Sequence, residues 1–325
     1  MTKIIAFNRV MKPVLDELKK TYDVRFFRDI DPETDDEFLK QWEQAEGIIG
    51  LDIPANDDML SRAPHLKIVS NVSVGYNNFD LQALKKRNIM ATNTPDVLND
   101  TVADTIFGIL VATARRIPEL DHFVKNGQWG TESSDNDLFG KDVHHKTLGI
   151  IGMGRIGQTI AKRAHFGFDM DILYNSRSRK PDVETTYQAG YRSLDNLLME
   201  SDFVLLITPL TSETEGLIGK REFQLMKNNA IFINGSRGNT IVESDLVDAL
   251  QSGEIAAAGL DVFANEPVEP DNPLLALKNT VTTPHIGSST YETERKMSEL
   301  AAKNLKAGLS GRKPPNLVDE SVWPE

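Results

Sequence analysis

Three side chains far apart in the chain could together reduce a carbonyl group: Arg237, Glu266 and His285. Reduction of a 2-oxo acid needs a hydride at carbon and a proton at oxygen. A guanidinium can clamp the carboxylate as a planar fork and polarise the carbonyl. An imidazolium can deliver the proton near neutral pH, and a carboxylate beside it orients the ring and favours its charged form. Arg237 stands in Ile233-Asn234-Gly235-Ser236-Arg237-Gly238. Glu266 stands in Gly259-Leu260-Asp261-Val262-Phe263-Ala264-Asn265-Glu266-Pro267, and His285 in Thr283-Pro284-His285-Ile286-Gly287. Each follows an apolar stretch that reads as a strand, and open α/β sheets place ligands beyond the carboxyl ends of their strands. Taken singly, each has a plainer reading: a surface ion pair, a loop acid, a structural histidine. The adjacent His144 and His145 read as loop or interface residues, and no metal site is expected.

A second constellation is Gly152-Met153-Gly154-Arg155-Ile156-Gly157, directly after the apolar Leu148-Gly149-Ile150-Ile151 and at the start of a helical pattern. In that context the first glycine permits a tight turn, the second lets backbone approach a pyrophosphate, and the third allows close helix–strand packing. The helix N-terminus then offers N–H groups to the phosphates. The next strand ends in Tyr174-Asn175-Ser176-Arg177-Ser178-Arg179-Lys180. NAD-selective sites usually carry Asp or Glu there to hold the ribose 2′-hydroxyl. Asn175 occupies that place, and Asn175, Ser176, Arg177 and Ser178 can hydrogen-bond a 2′-phosphate that a carboxylate would repel. The expected cofactor is therefore NADP(H), with NAD(H) as the alternative. The competing reading makes Arg177, Arg179 and Lys180 a solvated loop.

The elements that must hold these residues alternate as βαβ units. Ile4 to Phe7, Gly47 to Leu51 and Leu66 to Val72 read as strands, and Val14 to Lys20 as a helix opened by Pro13. Asp100 to Arg116 reads as a long helix, with Val102, Ile106, Ile109, Leu110 and Thr113 at helical spacing and Asp100 or Thr101 as its N-cap. Beyond it, strands are expected at Leu148 to Ile151, Ile172 to Tyr174, Phe203 to Thr208, Ala230 to Asn234, Ala257 to Leu260 and Thr280 to Thr283. Helices are expected at Ile156 to Ala164 and Tyr291 to Leu309, and Gly311, Pro314 and Pro315 end the last one.

Composition narrows the class. The 325 residues favour two α/β domains with parallel sheets. A formal charge of −12 disfavours nucleic acid and anionic membranes as partners. With no cysteine, disulfides and thiolate chemistry are excluded. The N-terminus lacks the apolar core of a signal peptide, and no window approaches the ~18 apolar residues of a membrane span. A cytoplasmic location is expected.

Taken together and in order, the glycine motif, the Asn234–Gly238 run, Gly259 to Phe263 with Glu266-Pro267, and Pro284-His285-Ile286-Gly287 resemble the D-isomer-specific 2-hydroxyacid dehydrogenase family over essentially the whole chain. Val143 to Gly149 and Arg163 to Phe168 are similar to its bacterial glyoxylate/hydroxypyruvate reductase B (2-ketogluconate reductase) group. The resemblance implies two Rossmann- or flavodoxin-like domains with a cleft between them. One is a discontinuous substrate domain of residues 1–99 and 289–325, the other a dinucleotide-binding domain of 100–288. It implies a homodimer, paired mainly through the dinucleotide domain. It makes Arg237 the substrate clamp, His285 the acid/base and Glu266 its partner. Ser73, Val74 and Gly75 become the loop whose amides hold the substrate carboxylate, and Leu51 a pocket residue. Thr105, Pro209, Asp261 and Gly287 become cofactor-side positions. The implied activity is reduction of glyoxylate, hydroxypyruvate or 2-keto-D-gluconate. The alternatives are a dehydrogenase for another 2-hydroxy acid, or a dinucleotide-sensing interaction module of the corepressor type.

Overall fold

The computed structural model describes residues 1–130 and 138–323. The chain divides into two units, Met1–Leu98 with Ser288–Glu325, and Asn99–Gly287. Each crossing falls one residue before the boundary read from the sequence.

The first unit has five parallel strands, β1 (Lys3–Phe7), β2 (Asp23–Phe27), β3 (Gly47–Gly50), β4 (Ile68–Asn71) and β5 (Met90–Thr92), in the order β2-β1-β3-β4-β5. The direction of chain progress reverses between β1 and β3, which makes the loops after those strands its natural ligand edge. One sheet face is covered by short helices around Phe38, Trp42, Met59 and Leu84, all fully or nearly buried. The Trp42 indole N–H finds the carbonyl of Met59 at 2.7 Å, so burying that ring leaves no donor unpaired. The other face receives the helix Tyr291–Leu309 through Met297, Ala301 and Leu305. The buried Ser70 hydroxyl donates to the Ala301 carbonyl at 2.8 Å. Leu317, beyond that helix, forms an antiparallel bridge with Thr92.

The second unit has seven parallel strands: β6 (Thr147–Ile151), β7 (Asp171–Asn175), β8 (Gly190–Tyr191), β9 (Phe203–Leu206), β10 (Ile231–Asn234), β11 (Ala257–Leu260) and β12 (Thr280–Thr282). They are ordered β12-β11-β10-β9-β6-β7-β8. Here the reversal lies between β6 and β9. The central strands are buried along their length, as parallel strands covered on both faces must be. The helix Asn99–Ala114 lies on β10 and β11 and against the helix Arg155–Phe168. It begins at Asn99, so Asp100 and Thr101 fall inside its first turn and neither is its N-cap. Asp100 instead supplies negative charge to the helix start.

Candidate active site

The loops after β10, β11 and β12 bring Arg237, Glu266 and His285 to one edge of the second sheet. The close approach of two of these loops depends on Gly238. A Cβ on that residue would lie 1.8 Å from the carbonyl carbon of Phe263, so only glycine lets the Arg237 turn rest on the chain leading to Glu266. Glu266 Oε1 accepts from the Phe263 amide at 3.0 Å, which turns Oε2 to His285 Nδ1 at 2.7 Å. Burial pushes the Glu266 carboxyl up. The His285 bond, the Phe263 amide and the charges of His285 and Arg237 outweigh that and hold it below the usual carboxylate range. Glu266 is therefore an anion at neutral pH. With Nδ1 occupied, Nε2 is the His285 nitrogen left to exchange a proton. Arg237 is half-buried, and its Nη1 donates to its neighbour's carbonyl, that of Ser236, at 2.7 Å.

His285 has a left-handed φ of +51°, a conformation that costs an ordinary residue about 1–2 kcal/mol. Asp261 holds it there. This side chain is 2 % exposed. Its Oδ1 accepts from the Thr283 hydroxyl at 2.6 Å and the Ile286 amide at 2.9 Å, and its Oδ2 from the Gly287 amide at 2.8 Å. Both oxygens are thus spent on the His285 loop. Thr105 reaches the same loop, donating to the Gly287 carbonyl at 3.3 Å.

The glycine motif lies at the β6/β9 reversal. Gly152 has φ +109°, and a Cβ on Gly157 would sit 2.2 Å from the Gly152 carbonyl oxygen. Gly154 caps the helix Arg155–Phe168 with no side-chain acceptor, and nothing lies within 4 Å of where its Cβ would be. Ile156 follows half-buried in that first turn. Open space, an uncapped helix start and backbone without side chains fit the pyrophosphate of a dinucleotide. The Thr208 hydroxyl, beyond β9, is buried with no partner among the described residues, and Thr208 Cγ2 lies 3.1 Å from the Cβ position of Gly152. Sequence reading passed over it as the end of a strand. Pro209 follows it, exposed.

The next strand end is more tightly tied than its sequence suggests. The Asn175 carbonyl accepts from Gly152 N at 2.9 Å, so the two loops are neighbours. Asn175 Nδ2 donates to the Arg192 carbonyl at 2.8 Å, and the Ser176 hydroxyl to the Ser178 carbonyl at 2.7 Å. Arg179 is not a free loop cation, because Glu184 holds it at 2.7 Å. Arg177 is exposed and has no partner among the described residues.

In the first unit, Leu51 follows β3, and its carbonyl accepts from Asn8 Nδ2 at 3.4 Å. Of the three amides at Ser73, Val74 and Gly75, that of Gly75 is already used, donating to the Ser73 hydroxyl at 3.1 Å. The Ser73 and Val74 amides have no partner among the described residues. Asn71 Nδ2 braces the loop through the Gly75 carbonyl at 2.6 Å, while its buried Oδ1 is unpartnered among the described residues. No group of three or more His, Cys, Asp or Glu that could hold a metal occurs among the described residues. No helix among them is long and apolar enough to cross a membrane.

A glycine-loop dinucleotide cradle beside an Arg–Glu–His set defines an oxidoreductase site, and comparison with known proteins gives the family. Residues 107–287 match the model for the D-isomer specific 2-hydroxyacid dehydrogenase, NAD binding domain. The chain belongs to the D-isomer specific 2-hydroxyacid dehydrogenase family. It is 47% identical over 319 residues to the glyoxylate/hydroxypyruvate reductase B of Escherichia fergusonii, covering 98% of each chain. A Thermus thermophilus protein of known structure superposes with a TM-score of 0.90 at 39% identity, over 98% of this chain and 100% of that one. The NADPH-dependent glyoxylate/hydroxypyruvate reductase of Sinorhizobium meliloti, solved with NADP and malonate, gives a TM-score of 0.87 at 30% identity. That match covers 100% of this chain and 98% of the other.

Proposed function

We propose that this protein reduces small 2-oxo acids (glyoxylate, hydroxypyruvate or 2-keto-D-gluconate) to D-2-hydroxy acids, using NADPH in preference to NADH. The observation that carries the reading is the Glu266–His285 pair at 2.7 Å beside Arg237, on the loops next to the glycine cradle. The reduced nicotinamide, when bound, supplies the hydride. Gly152, Gly154, Arg155, Ile156 and Gly157 would hold its pyrophosphate, and in this reading Thr208, Pro209 and Gly287, on loops, and Thr105, on the helix Asn99–Ala114, are further cofactor-side positions. Arg237 binds the substrate carboxylate and polarises the 2-oxo group. His285, turned by Glu266, gives the Nε2 proton to the carbonyl oxygen. The free amides of Ser73 and Val74 are suited to an anion, and in our reading they take the substrate carboxylate, with Gly75 closing the turn on Ser73 and Leu51 as a further substrate-side residue. Asp261 acts by positioning His285. The preference for NADPH rests on the missing strand-end acid and on Arg177, with Asn175, Ser176 and Ser178 shaping its loop.

We further propose a cytoplasmic homodimer. The helix Ile117–Lys125 has no buried residue, and Ile117, Val124, Trp129 and Phe139 are each at least half exposed, an apolar surface suited to a second copy.

The test follows nicotinamide absorbance with NADPH and NADH crossed against glyoxylate, hydroxypyruvate, 2-ketogluconate, pyruvate and 3-phosphohydroxypyruvate. Turnover of the first three, faster with NADPH, is expected. Turnover with NADH alone would discard the 2′-phosphate reading. Tight dinucleotide binding without turnover of any acid would discard the reductase reading.

A further inference from the structure

The end of β7 carries a hydrogen-bond network that neither the proposed chemistry nor the sheet requires. Tyr174 is fully buried, and its hydroxyl donates to Glu184 Oε1 at 2.6 Å while accepting from the Lys180 amide at 2.7 Å. Glu184 in turn takes Arg179 in a two-point grip, Nε to Oε1 at 3.0 Å and Nη2 to Oε2 at 2.7 Å. Three fixed donors thus converge on one carboxylate, and Arg179 also lies over the Tyr191 ring at 5.7 Å. The first turn of the helix Pro181–Tyr187 favours an acid in general. That preference does not call for a reach back to the preceding strand and loop.

From this network we propose that Glu184 is a cofactor-selectivity residue, which withholds Arg179 from a ribose 2′-phosphate and so keeps the site open to NAD(H) as well as NADP(H). The inference rests on the reading that the loop after β7 meets the 2′-phosphate. A guanidinium already paired with a carboxylate presents little net charge to a further anion. The same carboxylate repels a phosphate dianion but not a hydroxyl. Of Arg177, Arg179 and Lys180, only Arg177 and Lys180 then keep their charge uncancelled. The bonds from Arg179 and Tyr174 hold the Glu184 carboxyl below its ordinary range, so the grip persists at neutral pH.

The test is calorimetric binding of NADP⁺ and NAD⁺ to the whole chain, without turnover. Glu184→Gln should tighten NADP⁺ roughly tenfold, the scale of one regained charge-assisted contact, and leave NAD⁺ within about twofold. The gain should shrink with added salt. Tyr174→Phe, which removes one anchor of Glu184 and keeps its charge, should move the ratio of the two affinities the same way by less. A ratio unchanged or lowered in Glu184→Gln overturns the proposal, and if that variant does not fold, Tyr174→Phe decides by the same criterion. Arg177→Ala separates the two readings. If it abolishes the NADP⁺ advantage while Glu184→Gln changes nothing, the NADPH reading stands and this proposal fails. If Glu184→Gln raises the ratio while Arg177→Ala leaves it alone, this proposal stands and the role given to Arg177 fails.

Discussion

Asp261→Asn separates two roles for one buried side chain. The family resemblance makes Asp261 a cofactor contact, whereas its hydrogen bonds make it the clamp that holds His285 at φ +51°. An amide cannot replace this carboxylate in either orientation. With its oxygen at the Oδ1 position, the NH₂ group faces the Gly287 amide. With its oxygen at the Oδ2 position, the NH₂ faces the Ile286 amide. The Thr283 hydroxyl can turn and accept, but one backbone N–H always loses its acceptor in a site that is 2 % exposed. Leaving a buried donor unpaired costs about 1–3 kcal/mol, and a bond to a charged acceptor contributes about 1.5–3 kcal/mol. If about 2–3 kcal/mol of that bears on the loop, the proton donor is misplaced and kcat falls roughly 30- to 160-fold. The assay pairs steady-state kcat with hydroxypyruvate against the dissociation constant of NADP⁺. The clamp predicts the fall in kcat with dinucleotide affinity within about threefold. A tenfold weaker dinucleotide with kcat intact would refute it.

Four other outcomes follow from the same site. His285→Ala should lose roughly 10²-fold or more in kcat, the usual scale of general acid catalysis, and keep its dinucleotide affinity; near-normal turnover would remove it from the mechanism. Arg237→Lys should lower kcat/KM sharply, because a point charge cannot reproduce a planar fork, and unchanged kinetics would contradict the clamp. Gly238→Ala should cost both activity and melting temperature, since the new methyl would lie 1.8 Å from the Phe263 carbonyl carbon. The Glu266 carboxyl is held lower in the folded than in the unfolded chain. Its stabilising contribution is therefore complete above the ordinary carboxylate value and is lost as pH falls through the folded value. Glu266→Gln should accordingly show a shallower loss of stability on acidification, seen by circular dichroism.

The buried strands were legible because burial on both faces writes a continuous apolar run, as in Gly47 to Gly50 and Phe203 to Leu206. Three of the four edge strands were not. Asp23–Phe27 is largely open to solvent, and Met90–Thr92 and Gly190–Tyr191 are too short to show a period. The candidate residues and the Glu266–His285 partnership were legible from motif context and the family resemblance, but the atoms that meet were not. Glu266 and His285 are 19 positions apart, and nothing in the spacing says which oxygen faces which nitrogen. Arg179 read as one of a run of cations because its partner, Glu184, lies across the start of a helix that the sequence did not announce. Asp261 was named as a cofactor-side position through the family resemblance alone, and its bonds to Thr283, Ile286 and Gly287 could not be read from the sequence because they depend on how the β12 loop folds back.

The interrupted chain path of the first unit has a consequence for the order of assembly. Strands β3 and β4 are covered on one face by Met297, Ala301 and Leu305, which leave the ribosome well over two hundred residues later. The second unit, Asn99–Gly287, is contiguous and holds all of its own strands. During synthesis it can close while the first 98 residues still present an uncovered sheet face. The newborn amino-terminal segment is then the part most in need of chaperone protection. Its exposure ends only when the helix Tyr291–Leu309 clears the exit tunnel and docks.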